Sequence, residues 1–340
     1  MASFQLPEPG KFTIDLGSDQ WNKCVQSSEM TSSLDNPAMM NVVFSLTPEK
    51  MSNLDIGGLP KEASLKVYDK WVFSGTLTNV RVLDVSKLSI TYSDPLFRAK
   101  KVFDNSYAKE QSLRECLDSL IRKVGLSAQF VGDFTEKVPP FSLANSSVFQ
   151  HLTQLSHQHA FHFVCQPKSK TLSVIRVGDS LSGNSLDAKT MTSEVQSSQS
   201  LDAIFSSAKL QHFDNKNLES KDVQLSHGDL YADLKDFTGH PSFREKANLP
   251  ASQAVLESHL PDSTHFDNAK DFLQNRVSKQ AMEQEKLSFV VYDDFGLPGE
   301  KMSLSNLPVS NIQDGNYLVH SCVVRIASAV PRVEVGVIRP

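Results

Sequence analysis

The sequence lacks any apolar run long enough to cross a membrane, and its cysteines form no closely spaced pair. A helix needs ~20 consecutive apolar residues to span a bilayer, and no stretch of the 340 residues approaches that length. No Cys-x-x-Cys motif and no secretory leader pattern occur. We therefore expect reduced thiols, synthesis in the cytoplasm and no direct membrane insertion. The cysteines are Cys24, Cys116, Cys165 and Cys322.

The chain also lacks concentrated positive charge. It carries 34 Lys and Arg residues against 39 Asp and Glu, which gives a net charge of −5, and the sequence pI is about 6.1. The longest basic cluster is the short segment Arg98–Lys101. Because nucleic-acid binding depends largely on clustered Lys and Arg that neutralise phosphates, we expect no tight nucleic-acid binding.

Signatures of catalysis and metal binding are missing as well. The chain has no Gly-x-Ser-x-Gly motif and no P-loop, and the Asp-Phe-Gly triplet at Asp294–Gly296 lacks the other kinase motifs. Four histidines lie within twelve residues, at His151, His157, His159 and His162. No acidic residue lies among them as in an H-E-x-x-H site, and His157 and His159 are expected to interact with the helix dipole or solvent. We predict no catalytic, cofactor-binding or metal-binding residue.

What the chain does have is the composition of a globular protein, with 39% hydrophobic and 21% charged residues and enough length for two or three cores. In the first hundred residues, runs of β-branched and aromatic residues alternate with turn-forming residues, which is typical of strands. The predicted strands are Phe12–Leu16, Asn41–Leu46, Ala63–Tyr68, Trp71–Val82 and Lys87–Tyr92.

Two helices with capping boxes follow this β-rich segment. The first box pairs Ser112 with Glu115, and an apolar stripe then continues to a stop at Gly125. The second pairs Ser147 with Gln150. That second helix leads directly into a predicted hairpin with strands at Phe161–Cys165 and Thr171–Val177. The Ser- and Gly-rich stretch Gly178–Ser200 is predicted to be a linker.

A second β-rich region begins near Leu201. Its predicted strands are interrupted by a polar region that contains His240–Pro241 and Leu260–Pro261 and by a helix over Asn268–Met282. The predicted strands are Ala208–Phe213, Val223–Ser226, Leu287–Tyr292, Tyr317–Ile326 and Val333–Ile338.

Three segments resemble the baseplate hub proteins of contractile phage tails, the late control protein D family, and the N-terminal half of the type VI valine-glycine repeat spike protein. The resemblance covers the chain from about Lys66 to Pro340. The matching residues are Phe73, Gly75, Leu77, Asp94, Pro95, Leu96, Arg98 and Lys101 in the first segment, Phe149, Leu152, Leu155, Phe161, Phe163, Leu172 and Val174 in the second, and Leu304, Asn306, Leu307, Pro308, Gly315, Tyr317, Val319 and Val323 in the third.

The resemblance implies an α+β, mainly β fold with two similar β-barrel, tube-like domains that carry α/β insertions, in a trimeric ring with pseudo-six-fold symmetry. The expected domains are residues 1–104 for the first barrel, 105–190 for an α/β insertion, 191–230 and 284–340 for the second barrel, and 231–283 for a helical and loop insertion. Trp71–Val82 and Tyr317–Ile326 also resemble each other, as strands at equivalent places in two related barrels would.

The function implied is structural, with no enzyme activity and no cofactor. The chain is expected to form a homotrimer that links a hexameric tail tube above to a trimeric spike below, beside other baseplate proteins of a virion or injection system. Since the chain ends at Pro340 without a needle segment, the spike is expected to be a separate protein. The ring is expected to enclose a lumen that passes DNA or effector without binding it tightly, which suits a mildly acidic chain.

Two alternatives remain open from the sequence. A tail-associated cell-wall or glycan hydrolase would need two carboxylates ~5 to 9.5 Å apart in a cleft, and the spacing of acidic residues nominates no such pair. A monomeric β-rich adhesion module would differ from the hub in its oligomeric state.

Overall fold

A computed structural model describes residues 11–339, apart from residues 105–106, 109, 139–140, 143–145, 191–194, 200–204, 215–218, 231–254, 260–268, 283–284, 292–293, 308–313 and 328–329. The described chain is mainly β, as predicted. The predicted turns at His240–Pro241 and Leu260–Pro261 lie outside the described residues. No helix in the described ranges is both long and apolar enough to span a membrane.

The first β region contains all five predicted strands and one strand that the sequence analysis missed, Val25–Ser33. Alternating burial along these strands places one face in the core, as in Met39–Ser45, where every second side chain is buried. The elements are β1 (Phe12–Asp15), α1 (Asp19–Asn22), β2 (Val25–Ser33), β3 (Met39–Ser45), α2 (Pro48–Ser52), β4 (Glu62–Val67), β5 (Lys70–Val82) and β6 (Lys87–Ser93), with 3₁₀ turns at Ile56–Gly58 and Pro95–Lys100.

The middle of the chain forms an α/β unit. Both predicted capping boxes are confirmed: the side chains of Ser112 and Ser147 each accept a hydrogen bond from the backbone N–H three residues on, and Glu115 and Gln150 bond back to them. The elements are β7 (Phe103–Asp104), β8 (Tyr107–Ala108), β9 (Gln111–Ser112), α3 (Leu113–Lys123), β10 (Ser127–Val131), β11 (Lys137–Val138), β12 (Phe141–Ser142), β13 (Ser146–Ser147), α4 (Val148–Gln158), β14 (Phe161–Cys165) and β15 (Thr171–Arg176).

The last third of the chain contains the predicted second set of strands and the predicted helix. The elements are β16 (Leu181–Asp187), a 3₁₀ turn at Ala188–Thr190, β17 (Gln196–Gln199), β18 (Ser207–Asp214), β19 (Glu219–Ser226), α5 (His227–Leu230), β20 (Val255–His259), α6 (Ala269–Met282), β21 (Glu285–Val291), β22 (Glu300–Ser305), β23 (Gly315–Ile326) and β24 (Arg332–Ile338).

The predicted linker Gly178–Ser200 is wrong. Residues Leu181–Asp187 form β16, which pairs in parallel with β22, and Gln196–Gln199 form β17, which pairs with β21. Only Leu186 is buried in β16, and most of the strand is exposed. An exposed polar strand has no hydrophobic alternation, so the sequence carried no signal for it.

Strands of the two β regions share one twelve-stranded sheet, whereas β18, β19 and β20 form a separate three-stranded sheet in the order β19-β18-β20. The order of the twelve-stranded sheet is β1-β4-β5-β6-β3-β2-β23-β24-β21-β17, and β22 and β16 branch from β23. The link is the antiparallel ladder between β2 and β23, which runs from the pair Ser28 with Ile326 to the pair Ser33 with Ser321. The expectation of two separately closed barrels is therefore corrected: among the described strands neither region closes on itself, because β2 of the first pairs with β23 of the second.

Among the described residues, two large apolar cores accompany this sheet and the α/β unit. The larger contains side chains from both β regions, such as Phe44 and Val324. The second belongs to the α/β unit, where α3 and α4 cover the sheet β10-β15-β14 with side chains such as Leu117 and Leu152. A smaller, separate cluster contains side chains from the first β region, the α/β unit, α6 and the second β region: Leu34, Val164, Ile175, Met282, Leu318 and Ile338. Apolar side chains from all these parts of the chain therefore meet in this smaller cluster.

Gly75, one of the residues that match the hub family, lies where β5 passes close to β6. A Cβ at this position would stand 2.5 Å from the carbonyl oxygen of Ser93 and 2.5 Å from the Phe73 ring. We expect Gly75→Ala to lower the free energy of unfolding by about 1–3 kcal/mol, because the strands must separate to admit the methyl group. Urea unfolding of the variant measures this.

The matched control is Gly58→Ala, where the nearest atom to a new Cβ is a flexible carboxylate oxygen of Asp55 at 3.7 Å. That substitution is expected to change stability by no more than about 0.5 kcal/mol. Equal effects of the two alanines would contradict the close-approach explanation for Gly75.

Candidate functional site

The turn between β2 and β3 places Asp35 against the α/β unit. Asp35 has φ 61°, a left-handed conformation that Asp tolerates better than most residues. Its backbone N–H donates to the carbonyl oxygen of Phe163 at 2.9 Å, and its Oδ1 accepts the N–H of Phe163 at 2.9 Å. The turn therefore binds the edge of β14 on both the donor and the acceptor side.

The second carboxylate oxygen of Asp35 meets two basic side chains. Oδ2 is 2.9 Å from Nδ1 of His162 and 2.8 Å from Nζ of Lys279. These groups come from the first β region, from β14 and from α6. The three parts of the chain therefore meet at one carboxylate.

Lys279 is almost completely buried, with 1% of its surface exposed. Besides Asp35, its ammonium group donates to the carbonyl oxygen of Phe161 at 2.8 Å and to Oγ of Ser156. An ammonium group has three donors, and all three have partners here. Lys279 thus connects α6 to α4 and β14 as well as to Asp35. We call Asp35, His162, Lys279 and Ser156 the junction cluster.

The electrostatics of the junction cluster favour the ionised carboxylate. Burial alone raises the pKa of Asp35, but the nearby His162 and Lys279 more than offset it and hold that pKa well below its usual range. Replacing such buried ion pairs by apolar residues often costs little, whereas removing one partner leaves a buried charge unpaired. The junction cluster is therefore best suited to fix how three units are oriented.

Ser156 and Lys279 have the composition of a Ser–Lys nucleophile, but their surroundings do not suit catalysis. Ser156 is fully buried and Lys279 nearly so, and the ammonium group is paired with Asp35. A substrate cannot reach either side chain without opening the core. The geometry therefore makes the cluster a structural element.

Two further polar contacts are partly or fully buried, one within the first β region and one between the two β regions. Asp94, at the start of the 3₁₀ turn that leads out of β6, is buried, and its Oδ2 accepts the N–H of Ala38 at 2.9 Å. Burial raises the pKa of Asp94 to about 7. Lys70 of β5 forms an ion pair of 2.6 Å with Glu300 of β22, across the two β regions. Asp94 belongs to the motif that matches the hub family. Its role in this fold is to hold the start of the 3₁₀ turn against Ala38, next to β3.

The histidine cluster is divided among different environments. His151 and His162 are buried and His157 is exposed. His159 is the C-cap residue of α4 and is buried too, with Nδ1 3.4 Å from Oε1 of Glu136, so of its two expected partners, helix dipole or solvent, solvent is excluded. Burial raises the pKa of Glu136, but His159 and Arg176 outweigh it and lower that pKa to about 2. Across the described ranges, no group of three or more His, Cys, Asp or Glu side chains is arranged to hold a metal ion.

Sequence reasoning missed Asp35 and Lys279. Asp35 precedes an Asn-Pro pair and looks like an ordinary turn residue. Lys279 lies in the predicted helix, and a lysine is seldom fully buried in a protein. Neither residue has a local partner, and only the fold brings them together.

Comparisons with known proteins were made on sequence and on structure. No protein-family model and no curated protein sequence matches the chain. Among solved structures, the chain is similar to the 43 kDa tail protein of prophage MuSo2 from Shewanella oneidensis, with a TM-score of 0.65, 12% identity and 93% of each chain covered. It is also similar to a tail protein from Neisseria meningitidis, with a TM-score of 0.64, 10% identity and coverage of 93% and 92%.

A third similar structure is an Escherichia coli component of the type VI secretion system, described as similar to the phage T4 tail proteins gp27 and gp5. The TM-score is 0.57 at 8% identity, over 93% of this chain and 73% of that one. The chain therefore has the fold shared by phage tail and type VI secretion proteins. The resemblance inferred from the sequence motifs is confirmed at the level of the fold.

Proposed function

We propose that this chain is a baseplate hub: a homotrimeric ring with pseudo-six-fold symmetry that joins a hexameric tail tube to a separate trimeric spike. The observation that carries the proposal is the similarity over 93% of the chain to two phage tail proteins, together with the similarity to a type VI secretion component. A fold shared over nearly the whole length supports a shared architectural role better than a local motif does.

The internal arrangement of the sheet supports the symmetry part of the proposal. The two segments whose sequences resemble each other form the two longest strands among the described residues, β5 with 13 residues and β23 with 12. β5 pairs with β4 and β6 of its own region. β23 pairs with β22 and β24 of its own region and with β2 of the first region. Three copies of a chain with two such units present six, which matches a six-fold tube. The domain limits at residues 104, 190, 230 and 283 are part of this proposal.

A hub also needs a surface that holds neighbouring copies together. The tip of the hairpin between β5 and β6 exposes three apolar side chains, Val82, Leu83 and Val85, of which Val85 is 78% exposed. Asp84 orders this tip by accepting hydrogen bonds from the N–H and Oγ of Ser86. An ordered, exposed apolar tip is typical of a protein contact, and we assign it to the contact with a neighbouring copy.

Light scattering tests the proposal. We expect the purified chain to have a mass three times 37.7 kDa, either alone or after a trimeric spike is added. Val85→Asp is expected to lower the trimer fraction while leaving the thermal midpoint unchanged, because an exposed side chain contributes little to folding of the monomer. Ile56→Asp is the control, since Ile56 is 72% exposed but lies outside the hairpin.

A strict monomer under both conditions would contradict the ring and favour the adhesion module or the hydrolase. A trimer that tolerates Val85→Asp would keep the ring but move its interface away from the hairpin. Electron microscopy of tube protein polymerised with and without the trimer then checks the templating role, which requires tubes to start from the ring.

A further inference from the structure

A cavity of about 540 Å³ lies where the first β region, the α/β unit and the start of β16 meet. This volume falls within the roughly 300–1,000 Å³ of small-molecule sites, which occur preferentially between structural units. The polar and aromatic side chains that matter to the argument are Trp71, Gln129, Gln166, Lys168, Ser182 and Glu300. The proposed hub function assigns no role to this cavity.

The two amide groups lining the cavity are hydrogen-bonded to each other, and one of them keeps its donors free. Nε2 of Gln166 donates to Oε1 of Gln129 at 2.6 Å and to Oγ of Ser173 at 2.8 Å. This arrangement leaves the amide nitrogen of Gln129 without a partner among the described residues. Two amides fixed in this way, together with the hydroxyl of Ser182 at the rim, suit a ligand rich in hydroxyl groups.

The two charged side chains that line the cavity, Glu300 and Lys168, differ in whether a partner of opposite charge neutralises them. Glu300 is neutralised by Lys70 at 2.6 Å. Lys168 is exposed and has no carboxylate partner within the described part of the chain, and its Nζ lies 5.8 Å from the centre of the Trp71 ring. The cavity therefore offers one available positive charge beside one half-buried indole.

We propose that this cavity binds a saccharide ring that carries a carboxylate. The C–H face of a pyranose is apolar and packs on an indole such as Trp71, while its hydroxyls accept hydrogen bonds from the amide N–H groups of Gln129. Lys168 would pair with the carboxylate. The indole, the amides and the single unpaired cation each account for a different part of such a ligand. This inference does not depend on the ring assembly.

Saturation-transfer NMR on the full chain tests the inference with two matched pairs of sugars. Methyl glucuronide and methyl glucoside form one pair, and N-acetylmuramic acid and N-acetylglucosamine form the other. Within each pair the acidic sugar is expected to bind at least tenfold more tightly than the neutral one, with dissociation constants near ~1 mM. A tenfold difference corresponds to about 1.4 kcal/mol.

Variants locate the binding. Trp71→Ala is expected to abolish saturation transfer to every sugar, and Trp71→Phe, which keeps an aromatic face and the packing, to weaken it only severalfold. Lys168→Gln is expected to weaken the acidic sugars about tenfold and leave the neutral ones unchanged. Circular dichroism confirms that each variant is folded.

Three results would overturn the inference. The first is no saturation transfer to any of the four sugars at 20-fold the expected dissociation constant of ~1 mM. The second is binding that survives Trp71→Ala in a folded protein, which would place the sugar elsewhere. The third is equal weakening of acidic and neutral sugars by Lys168→Gln, which would remove the carboxylate from the proposal.

Discussion

Replacing Asp35 with asparagine is expected to lower the free energy of unfolding by about 3–5 kcal/mol, because it leaves the buried ammonium group of Lys279 without its counter-charge. Asparagine keeps the volume of the side chain and tolerates the left-handed backbone at this position. The loss therefore reports the missing charge and not a cavity or strain. Urea unfolding at neutral pH is the measurement.

The control for Asp35→Asn is Asp118→Ala on α3. Asp118 forms an ion pair of 2.7 Å with Arg122, whose side chain is 75% exposed. An exposed pair of this kind is worth about 0.3–0.5 kcal/mol, so a small change is expected. A loss from Asp35→Asn no larger than that of the control would contradict the role assigned to the junction cluster.

A double-mutant cycle sharpens the same experiment. Lys279→Met removes the buried ammonium group and keeps a long apolar side chain in its place. The double variant is expected to be more stable than Asp35→Asn alone, since no unpaired ammonium group remains in the core. Strictly additive effects would show that the two side chains do not interact. In the intact protein, the contribution of Asp35 is present above its usual pKa of 3.8 and is lost as the pH falls, because folding lowers that pKa.

Asp94→Asn is expected to change how stability depends on pH. The folded protein holds a proton on Asp94 up to a pKa of about 7, whereas the usual value is 3.8. The folded state therefore binds more protons than the unfolded state between these values. The contribution of Asp94 is fully present below pH 3.8 and is lost as the pH rises through 7, by at most about 1.4 kcal/mol per pH unit.

Asparagine at position 94 keeps an oxygen that can accept the N–H of Ala38 but carries no charge. The difference in unfolding free energy between variant and wild type is thus expected to shift in favour of the variant from pH 4 to pH 7. Urea unfolding at pH 4, 5, 6, 7 and 8 measures the difference, in which the other titrating groups cancel. Parallel curves for the two proteins would mean that Asp94 is ionised throughout.

Local elements were predictable because their causes are local. The capping boxes at Ser112 and Ser147 satisfy backbone N–H groups within one helical turn, so the two helices begin where the sequence indicates. The hairpin strand Phe161–Cys165 was found at its observed bounds, since a short aromatic and β-branched run between turn residues has few other solutions. The exposed strand β16 was missed because it has no hydrophobic pattern.

The sequence by itself determined the β-rich class, the two capped helices and the motifs shared with hub proteins. Only the tertiary structure decided that β2 pairs with β23 in one continuous sheet, and that Asp35, His162 and Lys279 meet in the core. The physical reason is the separation along the chain over which each interaction acts. Helix caps and strand periodicity act over a few residues, whereas strand partners and buried ion pairs join segments that are distant in the chain and leave no local pattern.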